Sequence, residues 1–155
     1  MLENCKSAKE RWGGVNEIID RWLEERQQLL VQYCSLSGLE AAELSGQQRG
    51  DKLKEVCQIL VDYVSAGHFE IYDQLIKEGR EFQDNDALHE AGNLYKTIDK
   101  TTEKLLDFND KYLETDDLSS IDTDLSRLGE TLETRFAAED RMIAVLHTSH
   151  KDLVV

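Results

Sequence analysis

Apolar residues recur along this chain at alternating steps of three and four, the spacing that lines one face of an α-helix packed against others. The first segment carries Trp12, Val15, Ile19, Trp22, Leu29, Tyr33 and Leu36 on one stripe, with Arg26 as the charged exception. Residues 38–50, with three glycines and Ser45, predict a helix C-cap and a loop. A second segment, over about 51–78, places Leu53, Cys57, Leu60, Val64, His68, Ile71 and Leu75 on one stripe, and His68 is its single polar member. Gly79 and the polar run 83–86 predict the next break, with Asp86 as N-cap of a third helix facing inward through Leu94, Ile98, Thr101, Leu105, Phe108 and Tyr112. Residues 115–117 predict its end and the cap of a fourth helix. That helix takes Leu118, Ile121, Leu125, Leu128, Leu132, Arg135, Glu139, Met142 and Leu146 on its stripe.

Four helices of about 25 residues, each near 37 Å long, joined by short connections, predict an all-α fold: an antiparallel four-helix bundle, up-down-up-down, forming one domain over residues 1–155. Gly13 and Gly14 break the local rule inside the first segment, since each costs up to about 1 kcal/mol relative to alanine in a helix. They predict a bend, a close helix approach, or a later helix start.

Composition agrees with this reading. The 155 residues include no proline, where roughly 5% is usual, and that favours long helices over a turn-rich β fold. A hydrophobic fraction of 40% can supply a core without disulfides. Cys5, Cys34 and Cys57 form no CxxC and no framework, which fits a reducing cytoplasm. The longest apolar run, 142–146, is far short of the roughly 20 residues that span a bilayer.

Charge narrows the partners. The net charge is −14, and 107–140 alone hold 11 acidic against 3 basic residues. Such a surface disfavours direct contact with nucleic acid or anionic membrane and suits a basic protein; equally, it is what a solvated helix surface needs for solubility.

Arg26, His68, Arg135 and Glu139 fall where apolar side chains are expected, and buried charge must be paired. Arg135 and Glu139 are i and i+4 and can pair directly. Similar helix heights allow all four to cluster, as a structural network fixing register or as a polar pocket open to a partner. The second helix is apolar or aromatic on nearly every side. Beside the core stripe, Asp62, Ser65, Phe69, Tyr72 and Ile76 line one flank, either enclosed or exposed as an anchor surface.

Catalytic and cofactor readings find little. Paired Glu-x-x-His motifs for a di-iron centre are lacking, and His147 and His150 form an HxxH without further ligands nearby, so no metal or cofactor is expected. His68 invites comparison with a histidine phosphotransfer bundle, but Phe69, Glu70 and Ile71 follow it, where such modules carry lysine and glycine. No P-loop, GxGxxG or nucleophilic triad is present, and no enzyme is expected.

Three stretches together resemble the Rsd/AlgQ family of bacterial regulators of sigma D: DRWLEERQQLL at 20–30, CQILVDYVSAGHFEIYDQL at 57–75 and LGETLETRFAAEDRMI at 128–143. The opening ERWGG at 10–14 is similar to the AlgQ branch. The resemblance implies a cytoplasmic anti-sigma factor, monomeric when free. Its partner would be region 4 of the primary sigma factor, blocked from core RNA polymerase and from −35 promoter DNA. On the matching positions the contact surface would lie around Asp62, Ser65, His68, Phe69 and Tyr72, with Trp22, Arg26, Arg135 and Glu139 as contacts or internal supports. An acidic helical module for another basic protein is the competing reading.

Overall fold

The computed structural model describes residues 8–38 and 43–154, so Cys5 and part of the 38–50 break lie outside the described residues. The chain is all-α, and its long helices form a four-helix bundle. Helix α1 spans Ala8–Ser37, α2 Gly46–Ala66, α3 Tyr72–Glu81, α4 Asn85–Glu114 and α5 Ile121–Leu146. A π-helical turn, Gly67–Ile71, joins α2 to α3 in one rod, and a 3-10 segment, Thr148–Leu153, follows α5.

The stripes pack as their periodicity requires. Ile19, Trp22, Leu29 and Leu36 of α1 meet Leu53, Val56, Cys57 and Leu60 of α2, Ile98 and Leu105 of α4, and Leu125, Leu128, Leu132 and Met142 of α5 in one core. Helices α4 and α5 are antiparallel neighbours, since Glu90 pairs with Arg141, Thr101 with Arg135 and Lys111 with Asp124. Helix α1 is likewise antiparallel to α5, through Trp12 with His147, Arg26 with Asp140 and Tyr33 with Leu125.

Several boundaries differ from the predicted ones. Helix α2 starts at Gly46 because Ser45 and Gln48 form a reciprocal capping box, Gln48 N–H to Ser45 Oγ at 3.1 Å and Ser45 N–H to Gln48 Oε1 at 3.0 Å. Gly79 is no break: it lies inside α3, where a Cβ would sit 2.6 Å from Leu146 and 2.9 Å from Leu88, so the glycine admits a close approach. The rod ends instead at Gln83, with φ of 54°. Asp84 N–H bonds to Gly79 O and Gln83 N–H to Arg80 O, a Schellman closure with glutamine where glycine is usual. Asp84, not Asp86, caps α4, its Oδ1 accepting from Ala87 N–H at 3.1 Å. Helix α5 begins at Ile121 rather than near Leu118, because residues 115–117 are non-helical and Ser120 precedes the first turn.

Gly13 and Gly14 need correction too. Helix α1 continues through both, and a Cβ at either would meet nothing within 4 Å, so they mark neither a close approach nor a late start. Gly14→Ala is therefore expected to stabilise the fold by roughly 0.5–1 kcal/mol, read as a higher melting temperature.

Candidate functional site

Four of the nine residues singled out from sequence lie in the interior. Trp22 and Tyr72 are each 2% exposed, Arg135 0% and Glu139 1%. Arg26 stands at the edge of this group, with its side chain 12% exposed. Glu139 on α5 is the hub. Its Oε1 accepts from Tyr63 Oη at 2.5 Å, its Oε2 accepts from Tyr72 Oη, and Arg135 and Arg26 approach at 3.3 and 3.4 Å. Arg135 donates onward to Thr101 Oγ1 at 3.0 Å, Thr102 Oγ1 at 2.8 Å and Tyr72 Oη at 3.0 Å. Its Nε faces Glu139 as an ion pair without a directed hydrogen bond.

Arg26 links this interior to the surface. One guanidinium nitrogen reaches Glu139, another reaches exposed Asp140 at 2.5 Å, and Nε donates to Tyr63 Oη at 3.0 Å. The guanidinium also lies over Phe136 at 4.6 Å. Trp22 stacks on Tyr63 at 4.7 Å and donates its indole N–H to the Tyr63 carbonyl at 3.1 Å. The polar positions on the stripes thus converge, as their heights allowed, and every charge among them is partnered.

His68 is half-buried beside the cluster, with Nε2 at 3.0 Å from Thr102 Oγ1 and Nδ1 at 3.3 Å from Tyr95 Oη. Thr102 donates to Ile98 O and accepts from Arg135, so His68 Nε2 carries the hydrogen and Nδ1 accepts from Tyr95. Burial, and then the charge of Arg135, hold this imidazole below its ordinary range. Both ring nitrogens are thus engaged in hydrogen bonds.

The remaining side chains face outward. Phe69 is 86% exposed, an extreme for a phenylalanine. Asp62 is exposed and accepts from Gln58 Nε2 at 3.1 Å, and Ser65 is half-buried. The flank predicted to carry Phe69 and Tyr72 side by side is therefore split, because the π-turn between α2 and α3 rotates Tyr72 into the core. Beside this surface, a groove of about 380 Å³ is lined by Trp22, Ala66, Glu25 and Glu70 among others. Partial burial, and then Asp62 and Glu70, push the Glu25 carboxyl up, so three carboxylates share this corner.

The sequence pattern did not single out Tyr63, Thr101, Thr102 or Tyr95 as partners of the cluster. It also missed the C-terminal histidines' role. His147 lies between Glu78 Oε2, at 2.6 Å, and Asn16 Oδ1, at 3.2 Å, stacked under Trp12. His150 reaches Asp84 Oδ2 at 2.8 Å and the Leu146 carbonyl at 2.9 Å. The HxxH thus fastens the 3-10 segment to α1, α3 and the turn before α4. Among the described residues no group of three or more His, Cys, Asp or Glu is arranged to hold a metal ion, and no helix is long and apolar enough to cross a membrane.

The buried phenols give a pH signature. Burial, and then the Glu139 carboxylate, hold Tyr63 and Tyr72 far above the usual tyrosine range. In the unfolded chain they ionise near pH 10. The folded state keeps its protons to higher pH, so this stability is complete below about pH 10 and is lost as pH rises toward the folded values. Each phenol is expected to contribute a loss of about 1.4 kcal/mol per pH unit above that point. Tyr63→Phe removes one share of the slope, measured by urea unfolding across the alkaline range.

With this geometry in place, the comparisons with known proteins are decisive. The family model described as "Regulator of RNA polymerase sigma(70) subunit, Rsd/AlgQ" matches residues 1–147. The chain belongs to the Rsd/AlgQ family. It is similar to "Regulator of sigma D" of Enterobacter sp. (strain 638), 40% identical over 94% of this chain and 89% of the relative. It is also similar to the protein of that name from Salmonella newport (strain SL254), 36% identical over 98% of this chain and 95% of the relative. Both relatives are covered nearly end to end, so the cluster around Glu139 and the exposed face at Phe69 belong to an Rsd/AlgQ fold.

Proposed function

We propose that this chain is an anti-sigma factor that binds region 4 of the primary RNA polymerase sigma factor through the outward face of α2 and the π-turn. The observation that carries the reading is Phe69, 86% exposed next to Glu70 on the rod that also carries Asp62, with the Glu25 carboxyl raised by burial and then by Asp62 and Glu70, in a chain of a sigma-regulator family. Region 4 reads −35 DNA with a helix-turn-helix, and such a module is basic because it contacts phosphates. Asp62 and its neighbours offer those basic side chains carboxylates in place of phosphates, while Phe69 fills an apolar recess next to them. The net charge of −14 speeds encounter with a basic partner.

On this reading the interior residues Trp22, Tyr72, Arg135 and Glu139 are supports, and Asp62, Ser65, Phe69 and the edge of His68 are contacts. Arg26 reaches both the core and Asp140 and belongs to the supports. The protein acts by occupancy and not by catalysis, as a monomeric single domain in the cytoplasm. Occupied region 4 can hold neither −35 DNA nor core polymerase, which lowers transcription by the housekeeping holoenzyme.

The test is displacement. A labelled −35 duplex bound to purified region 4 is titrated with this protein, and release at near-stoichiometric protein is expected. Retention of the duplex at saturating protein would contradict the reading.

A further inference from the structure

The turn Gly67–Ile71 differs from the helices on either side, because Tyr72 N–H bonds to Gly67 O, five residues back. Turns of this kind recur at functional sites. Tyr63 and Tyr72 are nine residues apart, and in regular α-helix that is about two and a half turns, which puts side chains on opposite faces. Here both hydroxyls reach the same carboxylate, Glu139. The residue absorbed by the π-turn rotates all that follows by about 100°, bringing Tyr72 inward. Asp73 takes the outward position that Tyr72 would hold in regular helix, exposed and paired with Lys77 at 3.2 Å.

The turn has identifiable supports. A Cβ at Gly67 would lie 2.9 Å from Tyr72 Oη and 3.2 Å from Trp22 Cζ2, so a larger residue there forces the two rings away. Trp22 donates to the Tyr63 carbonyl at 3.1 Å, at the entrance to the turn. Glu139 ties down the tyrosines on both sides of it.

We infer that Gly67 is a positioning residue for the partner surface: it admits the π-turn, which buries Tyr72 and leaves Phe69 as the lone aromatic anchor, flanked by Asp62, Glu70 and Asp73. The inference rests on the proposed function and adds the device that sets its recognition surface. A basic partner then meets one ring amid carboxylates instead of a paired aromatic face.

The experiment is a double-mutant cycle. Labelled sigma region 4 is titrated against wild type, Gly67→Ala, Phe69→Ala and the double variant, with circular dichroism melts and the solvent accessibility of the Tyr72 ring as reports on fold and turn. Gly67→Ala is expected to weaken binding at least tenfold alone and less than twofold in the Phe69→Ala background, because it acts through Phe69. Trp22→Phe, which removes the indole bond to the Tyr63 carbonyl and the part of the ring packed against Gly67, is taken through the same cycle and serves as the deciding variant if Gly67→Ala does not fold; it is expected to weaken binding threefold or more, again only when Phe69 is present. Equal fold-losses in both backgrounds would mean a merely structural role and overturn the inference. So would a folded Gly67→Ala protein whose Tyr72 ring has become solvent-exposed yet binds within twofold of wild type. Failure of the wild type itself to bind region 4 would bring down the proposed function, and this inference with it. Wild-type binding that Phe69→Ala leaves unchanged would overturn the inference while sparing the choice of partner.

Discussion

Arg135→Ala is expected to cost about 3–5 kcal/mol of folding stability, among the large single-substitution effects in the bundle core. Arg135 is fully enclosed, and its guanidinium satisfies Thr101, Thr102 and Tyr72 while pairing with Glu139. Truncation leaves the Glu139 carboxylate in the interior with Arg26 as its remaining cation, and it opens a cavity where the arginine stem packed. Burial already pushes the Glu139 carboxyl up against the pull of Arg135, the two tyrosines and Arg26. Removing the first of these partners removes the main counterweight. Arg135→Met with Glu139→Gln takes away both charges and keeps most of the volume, and it is expected to cost less than Arg135→Ala alone. Asp140→Ala removes a carboxylate from the exposed end of the same network and is expected to change stability by less than about 1 kcal/mol. Urea unfolding of the three variants, with unchanged m-values, checks the ordering. An Arg135→Ala protein within about 1 kcal/mol of wild type would show that the network does not hold the helices together.

Phe69→Ala and Asp62→Ala should behave in the opposite way, sparing the fold and damaging recognition. Phe69 is 86% exposed, so its truncation is expected to shift stability by no more than about 0.5 kcal/mol. As a central aromatic anchor it is expected to be worth about 2 kcal/mol or more to binding. Asp62 shares its face two turns earlier in the rod. If its carboxylate is desolvated against a partner arginine or lysine, truncation costs about 2–5 kcal/mol and raises the dissociation rate; a rim charge instead alters mainly the association rate and its salt dependence. Titrations at two salt concentrations separate these cases. Tyr72→Phe provides the contrast, because Tyr72 is enclosed and its hydroxyl serves Glu139, so it should lower stability more than affinity.

The bundle was legible because its signal is long and redundant. Nearly every stripe position, from Ile19 through Leu146, is enclosed or half-enclosed as the periodicity requires, and Arg135 and Glu139 fell on the grid at the spacing that lets them pair. What escaped were single-residue events. A π-turn changes no composition, and Leu60, Val64, Ile71 and Leu75 are all buried, as a regular stripe would also have them, so nothing local announced that Tyr72 would turn inward. Gly67 was the one available sign, and its need for space appears only when Trp22 from another helix is in place. The histidine fastenings were hidden for a related reason: Glu78 and Asp84 lie 69 and 66 residues from their partners, and spacing within one helix says nothing about such contacts. Cap positions slipped by a few residues because polar clusters offer several candidate caps, and the backbone chooses among them.

Whether the Phe69 face binds sigma is decided most simply by an equilibrium titration of isolated sigma region 4 with the wild-type chain and with Phe69→Ala at physiological salt. Saturable one-to-one binding by the wild type is expected, with at least a tenfold weaker constant for Phe69→Ala and a variant as well folded as its parent. Absence of wild-type binding would contradict the proposed function, and equal constants for the two proteins would contradict the surface assigned to it.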